Sequence, residues 1–367
     1  MLINHEKLGE LYNGLKDELS QQIFLARLGY DFSGSLDAMM ELSSLNRINR
    51  IKNRAQQATW REEFKRLKSE GKKIILYGAG AMGEFYGEKI LKGREDFYAF
   101  CDRDFKKYAE GVLGKQVLSP DYIIENKEEC YVVITPLLPA DEIMRYLIEN
   151  NFPASHVLPY IYGRIEARQV LYAKQYFEFP KLYPKGKAFV DAGCYRGETS
   201  LWFAKWCNGD FSEIFAFEPD ERNFIHCKEI AENNPDLKMK VFQAGVGKSP
   251  SVARFTSLGT TNSRVVKEVD VNPEDSVEIK ILSIDDIVGD SPVGFIKMDI
   301  EGSEYDALVG AEKAIMRDKP LCAISVYHKP GDVLNIMDLL HSLVPEYRFW
   351  IRHYSFNYTE TVLYAAI

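Results

Sequence analysis

The sequence predicts an α/β protein with two Rossmann-like domains and an additional helical segment at its start. Three observations support this fold class. Apolar strand-like runs alternate with helical stretches, two glycine-rich turns each stand between a strand and a helix, and the last two strand-like runs are separated by only a short loop. Parallel strands joined by crossover helices and closed by an antiparallel pair predict a seven-stranded open sheet in the second domain.

Composition and charge narrow the class of protein. The chain has 367 residues, of which 46% are hydrophobic and 27% charged, so it can build an ordinary globular core of about two domains. The net charge of -8 gives no basic excess of the kind that nucleic-acid binders carry. These values favour a small-molecule or glycan substrate and predict no nucleic-acid partner.

The chain also shows no signal for export or membrane insertion. Its first residues, MLINHEKLGELYNG, lack a basic stretch followed by an apolar one, and the longest apolar run is interrupted by Pro136 and Pro139. That run is far shorter than the roughly 18–20 residues that span a bilayer. The six cysteines form no CxxC pair and are predicted to be reduced core residues of a cytoplasmic protein without a membrane span.

Four segments follow one another along the chain. Residues 1–70 have helical periodicity and are predicted to pack on the first domain or to form a dimer contact. Residues 71–163 form the small Rossmann-like domain, 164–184 a linker helix, and 185–367 the second α/β domain.

The first glycine turn is a full GxGxxG, formed by Gly78, Gly80 and Gly83. Asp102 follows about 20 residues later, where a ribose-binding acid would lie. This pattern predicts a nucleotide site, although a strand-to-helix turn without a ligand fits it equally well. The region is similar to small Rossmann-like domains that accompany sugar-modifying enzymes, which implies a nucleotide sugar as a possible partner.

The second turn, Asp191-Ala192-Gly193-Cys194-Tyr195-Arg196-Gly197-Glu198-Thr199, differs from a dinucleotide fingerprint because only two glycines stand in it, four residues apart. S-adenosylmethionine has no pyrophosphate and needs no third glycine. Asp191 could meet its ammonium group directly or through water, and Glu218, at the end of the next strand, could accept both ribose hydroxyls. The predicted cofactor site consists of Asp191, Gly193, Gly197, Thr199 and Glu218, with Gly245 and Val246 beside the adenine.

The segments FVDAGCYRGETS, FAFEPD and FIKMDIEGSEYDALVGA resemble the FkbM family of S-adenosylmethionine-dependent methyltransferases. The resemblance covers roughly residues 185–367, and KMDIEGSE is its most distinctive part. It implies a class I methyltransferase sheet and O-methylation of a hydroxyl on a sugar, glycan or related natural-product precursor.

Transfer of a methyl group to a hydroxyl requires a group that helps to remove the proton of that hydroxyl. Asp299 and His328 end neighbouring strands and should face each other, because ligands bind beyond the carboxyl ends of such strands. His328 could be the general base, Asp299 could be the base, or a divalent metal could bind to Asp299, Glu301 and His328. The metal-free pair of His328 and Asp299 is favoured as the catalytic set.

Three further features allow competing interpretations. Lys297, inside an apolar strand, is expected to form a structural ion pair with Asp299, and the polar loop 257–266 could cover the substrate. Tyr183 and Lys187 have the spacing of an oxidoreductase pair, but Pro184 and Gly186 would break the helix that gives this spacing its meaning.

Two alternative functions follow from the first domain. One is an NAD-dependent nucleotide-sugar oxidoreductase built on the first glycine turn. The other is a non-catalytic protein that binds a nucleotide sugar and only senses the methyl donor.

Overall fold

The computed structural model describes residues 5–46, 60–89, 91–136, 140–158, 174–255, 265–266, 277–355 and 358–367. Contacts divide the chain into two compact units. The larger comprises residues 1–47 and 173–367, and the smaller comprises residues 48–172.

The smaller unit is built on a four-stranded parallel sheet with the strand order β3-β2-β1-β4. Its strands are β1 Lys73–Tyr77, β2 Phe97–Cys101, β3 Val117–Leu118 and β4 Cys130–Ile134. Its helices are Trp60–Ser69, Ala81–Lys89, Pro120–Glu125 and Ala140–Glu149, and its 3-10 turns are Phe105–Tyr108 and Ala154–His156. Strands β1 and β4 are almost fully buried, as expected for a parallel sheet that is covered on both faces.

The larger unit holds the seven-stranded sheet, in the order β14-β15-β13-β12-β5-β6-β7. Its strands are β5 Ala188–Ala192, β6 Ile214–Phe217, β7 Met239–Phe242, β8 Gly245–Val246, β9 Ser251–Phe255, β10 Val265–Val266, β11 Val277–Leu282, β12 Val293–Met298, β13 Leu321–Ser325, β14 Arg348–His353 and β15 Thr361–Ala366. Its helices are His5–Gly14, Glu18–Ser33, Leu36–Ser44, Glu198–Trp206, Glu221–Asn233, Ile284–Val288, Glu304–Val309, Glu312–Asp318 and Asp332–Leu343, and its 3-10 turns are Pro180–Leu182 and Pro235–Leu237.

The predicted α/β class and the seven-stranded sheet are confirmed. Strands β5, β6, β7, β12 and β13 run parallel, and β15 is antiparallel to both of its neighbours, as predicted for the terminal pair. The remaining strands form a second small sheet in the order β10-β9-β11-β8.

Side chains alternate between two apolar cores on the two faces of the large sheet. In β12, Ile296 and Met298 pack in one core, while Phe295 packs in the other against Phe189 and Phe203. Because both faces of the sheet are covered, the sequences of the central strands are nearly continuous apolar runs. This makes the one charged residue of β12, Lys297, an exception that needs a partner.

The helices at the start of the chain belong to the larger unit, which differs from the predicted packing on the first domain. Helix Glu18–Ser33 places Ile23 and Phe24 in the same core as Ile296. Ser20 accepts a hydrogen bond from the Ile351 amide of β14 at 3.0 Å. The helical periodicity contained nothing to indicate which sheet these helices would cover.

The described part of the predicted linker, residues 174–184, contains one 3-10 turn and no α-helix. Residues 159–173 lie outside the described residues, as do 47–59 of the predicted N-terminal helical segment. All six cysteines are buried free thiols, as predicted. Within the described part of the chain, no helix combines the length and apolar character needed to cross a bilayer.

Candidate functional site

The candidate site lies at the carboxyl edge of the large sheet. Strands β6, β5, β12 and β13 are parallel neighbours, so the segments that follow them meet at one edge. The topology therefore brings together the turn after β5, Glu218 after β6, Asp299 after β12 and His328 just beyond β13.

Gly193 allows the turn after β5 to touch the end of β12. Its φ is +73°, and a Cβ built on it would lie 2.0 Å from the carbonyl oxygen of Asp299. The Asp299 amide in turn donates to the Ala192 carbonyl at 3.1 Å. Any side chain at residue 193 would therefore separate the glycine turn from the predicted catalytic acid.

Asp191 is fully buried and bonded within the protein. Ser200 donates a hydrogen bond to its Oδ2 at 2.9 Å, and Lys297 Nζ lies 3.3 Å from its Oδ1. Direct contact with a ligand ammonium would require this carboxylate to leave both partners. The geometry makes Asp191 a residue that holds the turn, and its contact with the ammonium group of the donor, directly or through water, stays a prediction.

Lys297 forms the expected structural ion pair, but with Asp191 and not with Asp299. The reason is register, since Lys297 stands beside Asp191 in the parallel pairing of β12 with β5. Its ammonium also donates to the Gly193 carbonyl at 2.6 Å. Burial acts to lower the pKa of Lys297, but the nearby charges of Asp191 and Asp299 outweigh burial and raise it.

Gly197 and Thr199 lie where the turn enters helix Glu198–Trp206. Gly197 precedes the first helical residue with φ +87°, and a Cβ there would come within 3.0 Å of Ile230 Cδ1. Thr199 is half-buried in the first turn of the helix. The structure therefore explains Gly197 by helix packing, and ligand contact at Thr199 stays a prediction.

Glu218 is a buried carboxylate at the end of β6 and is only 6% exposed. Its Oε1 accepts the Asp220 amide at 2.9 Å. Burial is the main cause that raises the pKa of Glu218 to about 7, and the charge of Asp220 adds to it.

A cleft of about 570 Å³ begins next to Glu218, at Pro219. It is lined by Phe242, the last residue of β7, by Gln243 and Ala244 after it, and by residues of β11. This volume falls in the range of small-ligand sites. A buried carboxylate beside such a cleft suits the ribose and adenine of a nucleoside, so the residues present fit S-adenosylmethionine.

Gly245 and Val246, whose contact with the adenine stays a prediction, directly follow Ala244 of the cleft. They form β8 and pair with Ile281 and Leu282 of β11. A Cβ on Gly245 would lie 2.8 Å from Ile281 Cδ1, and Val246 is 3% exposed within the core. Packing in the small sheet accounts for both residues.

Asp299 and His328 are brought together as predicted, with Glu301 beside them. His328 Nε2 lies 3.5 Å from Asp299 Oδ1 and 3.6 Å from Glu301 Oε2. On the other side of the ring, Nδ1 lies 2.8 Å from Glu304 Oε1. Glu304, in the first turn of helix Glu304–Val309, is thus part of the cluster and is 1% exposed.

The charges of this cluster stabilise one another. Burial acts to lower the pKa of His328, but Glu304, Asp299 and Glu301 together raise it to about 9. Burial acts to raise the pKa of Asp299, but His328 and Lys297 hold it below its ordinary value. The raised pKa favours the imidazolium form of His328 below about pH 9, and that form cannot accept a further proton.

Four residues near Asp299 were not predicted from the sequence. The hydroxyls of Tyr176 and Tyr327 donate to the two carboxylate oxygens of Asp299, at 2.7 and 3.2 Å. Gln175 donates to Glu360, whose pKa burial and the charge of Asp299 raise to about 7. Tyr327 adjoins His328 in the sequence and could have been found by its position, whereas Gln175, Tyr176 and Glu360 lie in loops without a motif.

The first glycine turn, in the smaller unit, is stabilised by hydrogen bonds and close packing within that unit. Asp102 accepts the Ala79 amide through Oδ2 and the Asp104 amide through Oδ1, each at 2.9 Å. A Cβ on Gly83 would meet the Gly78 carbonyl at 2.0 Å, while Gly80 has open space around it. Asp102 therefore stabilises the turn, and ligand binding there stays a prediction.

Two other sequence features can be placed. Tyr183 donates to the Lys187 carbonyl in a segment without an α-helix, so the pair lacks the helical geometry of an oxidoreductase site, as expected. Of the polar loop 257–266, all but Val265 and Val266 lies outside the described residues.

Comparisons with known proteins identify the C-terminal part of the chain. Residues 191–358 match the family model described as the methyltransferase FkbM domain. No curated protein matches the sequence.

Three solved structures are among those to which the chain is similar. Methyltransferase FkbM from Methylobacillus flagellatus KT is 22% identical, with 82% of this chain and 92% of that chain covered and a TM-score of 0.47. An rRNA methylase from Streptococcus thermophilus is 12% identical, with 51% and 90% covered and a TM-score of 0.32. SMU.1697c from Streptococcus mutans, in complex with SAH, is 12% identical, with 55% and 97% covered and a TM-score of 0.30.

Proposed function

Residues 191–358 form a domain of the FkbM methyltransferase family, and from this premise we propose that the chain is an S-adenosylmethionine-dependent O-methyltransferase. The acceptor is a hydroxyl of a sugar, glycan or related natural-product precursor. The observation that carries the proposal is the contact between Gly193 and the Asp299 backbone, because it joins the glycine turn to the acid at the end of β12.

The donor side of the site consists of Glu218 and the turn after β5. The Glu218 carboxylate would accept hydrogen bonds from the ribose hydroxyls, and Pro219 with the residues at and after the end of β7 would hold the adenine. Asp191 and Lys297 fix the turn through buried contacts. S-adenosylmethionine, when bound, supplies a methyl group that is electrophilic because it is attached to a sulfonium.

The acceptor side consists of Asp299, held by Tyr176 and Tyr327, and of His328. His328 orients the hydroxyl, and Asp299 takes its proton as the oxygen–methyl bond forms and the sulfur–methyl bond breaks. Alignment of oxygen, methyl carbon and sulfur supplies a large part of the acceleration. A carboxylate that is fixed by two phenol hydroxyls is suited to this positioning.

The proposal is tested with methyl-labelled donor, purified protein and fractions of sugar nucleotides and glycans. We expect label in an alkali-stable ether on one acceptor class. Asp299→Asn should lower turnover by about 10²–10⁴-fold, as for loss of a proton-transfer group, without a change in donor affinity.

Asp306→Asn is the matched control, since Asp306 is an exposed acid close by in helix Glu304–Val309. It should leave turnover unchanged. Labelled nitrogen or carbon instead of oxygen would overturn the O-methyltransferase assignment, and full activity of Asp299→Asn would remove Asp299 from the mechanism.

A further inference from the structure

Arg27 and Asp31 form a buried ion pair on helix Glu18–Ser33. Their side chains are each 2% exposed, and Arg27 Nε donates to Asp31 Oδ1 at 2.8 Å. Replacement of a buried ion pair by apolar residues of similar volume often costs a protein no stability. Stability alone therefore does not explain why this helix carries a charged pair on its buried side.

Other polar atoms of the pair bind two separate segments of the larger unit. Asp31 Oδ2 accepts the Gly331 amide at 3.0 Å. Arg27 Nη1 donates to the Tyr358 carbonyl, and Tyr30 of the same helix stacks on Tyr358 with the ring centroids 5.2 Å apart. Since residues three and four apart share one face of a helix, a single helix face holds two backbone positions that are distant in the sequence.

The first of these segments begins directly after His328. Gly331 has a φ of +84° and immediately precedes helix Asp332–Leu343. The Asp332 carboxylate accepts the Lys329 amide at 2.9 Å, so residues 329–332 form a hydrogen-bonded turn. The hydrogen bond from Gly331 to Asp31 therefore fixes the turn that follows the histidine.

The second segment leads from Tyr358 to Glu360, just before β15. Glu360 accepts a hydrogen bond from Gln175. Gln175 also donates to the Tyr176 hydroxyl at 3.0 Å, and that hydroxyl donates to Asp299 at 2.7 Å. The contact of Arg27 with Tyr358 is thus connected to Asp299 by a short chain of hydrogen bonds.

We propose that Arg27 and Asp31 are positioning residues for the acceptor side, because they hold both segments in place. The pair acts through His328 and Glu360 and not by contact with the reacting atoms. Methyl transfer needs the hydroxyl aligned with the sulfonium, and a displacement of about 1 Å can lower a rate about 10²-fold. This role in catalysis rests on the proposed function, whereas the two backbone contacts do not depend on it.

The test uses full-length protein in which both residues are replaced together, Arg27→Met with Asp31→Leu. The apolar pair leaves no buried charge, so the variant should fold, but the contacts with Gly331 and Tyr358 are lost. The acceptor is the fraction that takes label from methyl-labelled S-adenosylmethionine in the parent protein, and calorimetry counts the donor-binding sites. We expect turnover per donor-binding site to fall by about tenfold or more, with unchanged donor affinity.

Hydrogen exchange, measured by mass spectrometry, gives a second readout that needs no acceptor. Peptides that contain Gly331 and peptides that contain Tyr358 should exchange faster in the double variant than in the parent. Arg27→Lys keeps a charge beside Asp31 but lacks the planar fork of arginine, so faster exchange is expected at Tyr358 and not at Gly331. This single variant keeps the test valid if the double variant does not fold.

Ser20→Ala is the matched control, since Ser20 lies on the same helix but accepts the Ile351 amide of β14. It should lower stability while turnover per donor-binding site stays at the parent's value. Parental turnover per site in a folded double variant, or unchanged exchange in both segments, would overturn the proposal. If the parent labels no acceptor, the proposed function fails, and hydrogen exchange alone decides whether the pair holds the two segments.

Discussion

Gly193 shows how one residue can serve both fold and chemistry. Glycine turns in nucleotide-binding folds are usually explained by the approach of a ligand, but here the nearest obstacle to a side chain is the Asp299 carbonyl oxygen. The donor turn and the acceptor acid are thus in contact through the backbone. Disturbing either should disturb the other.

Gly193→Ala tests this contact, with Gly209→Ala as a matched control. Both glycines have φ +73°, but a Cβ on Gly209 meets nothing within 4 Å. The control should lose only the roughly 1–2 kcal/mol of a left-handed backbone, whereas Gly193→Ala should lose clearly more. Denaturant unfolding measures the difference, and equal losses would show that the contact does not constrain the turn.

Glu218 gives a pH dependence with a definite sign. Its pKa is raised to about 7, and ribose hydroxyls donate to the ionised carboxylate, so donor affinity should fall as the pH drops below about 7. The raised pKa also means that the folded chain keeps a proton that the unfolded chain releases. This residue's contribution to the free energy of unfolding therefore decreases as pH rises from about 4.3 to 7.

Calorimetric titration of the donor between pH 5.5 and 8.5 checks this expectation. In Glu218→Gln the affinity should be weaker than in the parent at pH 8 and almost independent of pH. A parent protein whose donor affinity is flat across this range would contradict the assignment of the ribose contact to Glu218.

At the scale of elements, sequence predicts strands and their ends better than it predicts pairing. Asp299 and His328 were placed correctly because each follows an apolar run whose carboxyl end must reach the ligand edge. The predicted partner of Lys297 was wrong because the actual partner depends on the pairing of β12 with β5, which are about a hundred residues apart in the sequence. Tyr176, which donates to Asp299, and Glu360, whose pKa the charge of Asp299 raises, lie in loops, where no periodicity marks a residue's position.

The helix Glu18–Ser33 illustrates the same limit and provides an element-scale prediction. Ser20, fully buried, accepts hydrogen bonds from the Ile351 amide and from Arg352 Nη1, both at 3.0 Å. Ser20→Ala leaves the buried amide without a partner and should lower the free energy of unfolding by about 1–3 kcal/mol.

Ser33→Ala, at an exposed serine of the same helix, is the control and should change stability little. Chemical denaturation that follows the larger unit measures both variants. Equal stability of Ser20→Ala and the parent would argue that this helix does not support β14.

At the scale of the whole molecule, the chain forms the larger unit from two separate segments. Residues 48–172, which separate these two segments in the sequence, form a compact unit of their own. Composition and motifs predicted two α/β domains, but not that the first helices return to the second domain, because that assignment depends on long-range packing.

Replacing residues 48–172 by a flexible Gly/Ser linker tests whether the larger unit is self-sufficient. We expect this variant to fold cooperatively and to bind the methyl donor with an affinity close to that of the parent, since the donor residues lie in the larger unit. Removal of residues 1–47 as well should abolish cooperative unfolding, because Ile23 and Phe24 belong to the core. Loss of donor binding on the first replacement alone would assign the smaller unit a part in the site.

The most direct test of the account is calorimetry of S-adenosylmethionine with full-length protein, Glu218→Ala and the control Glu221→Ala. Glu221 is an exposed acid three residues away, at the start of the next helix. We expect the parent and the control to bind one donor per chain. Glu218→Ala should bind it at least about tenfold more weakly, since lost hydrogen bonds to a charged group cost about 1.5–3 kcal/mol. No binding by the parent, or equal binding by all three proteins, would contradict it.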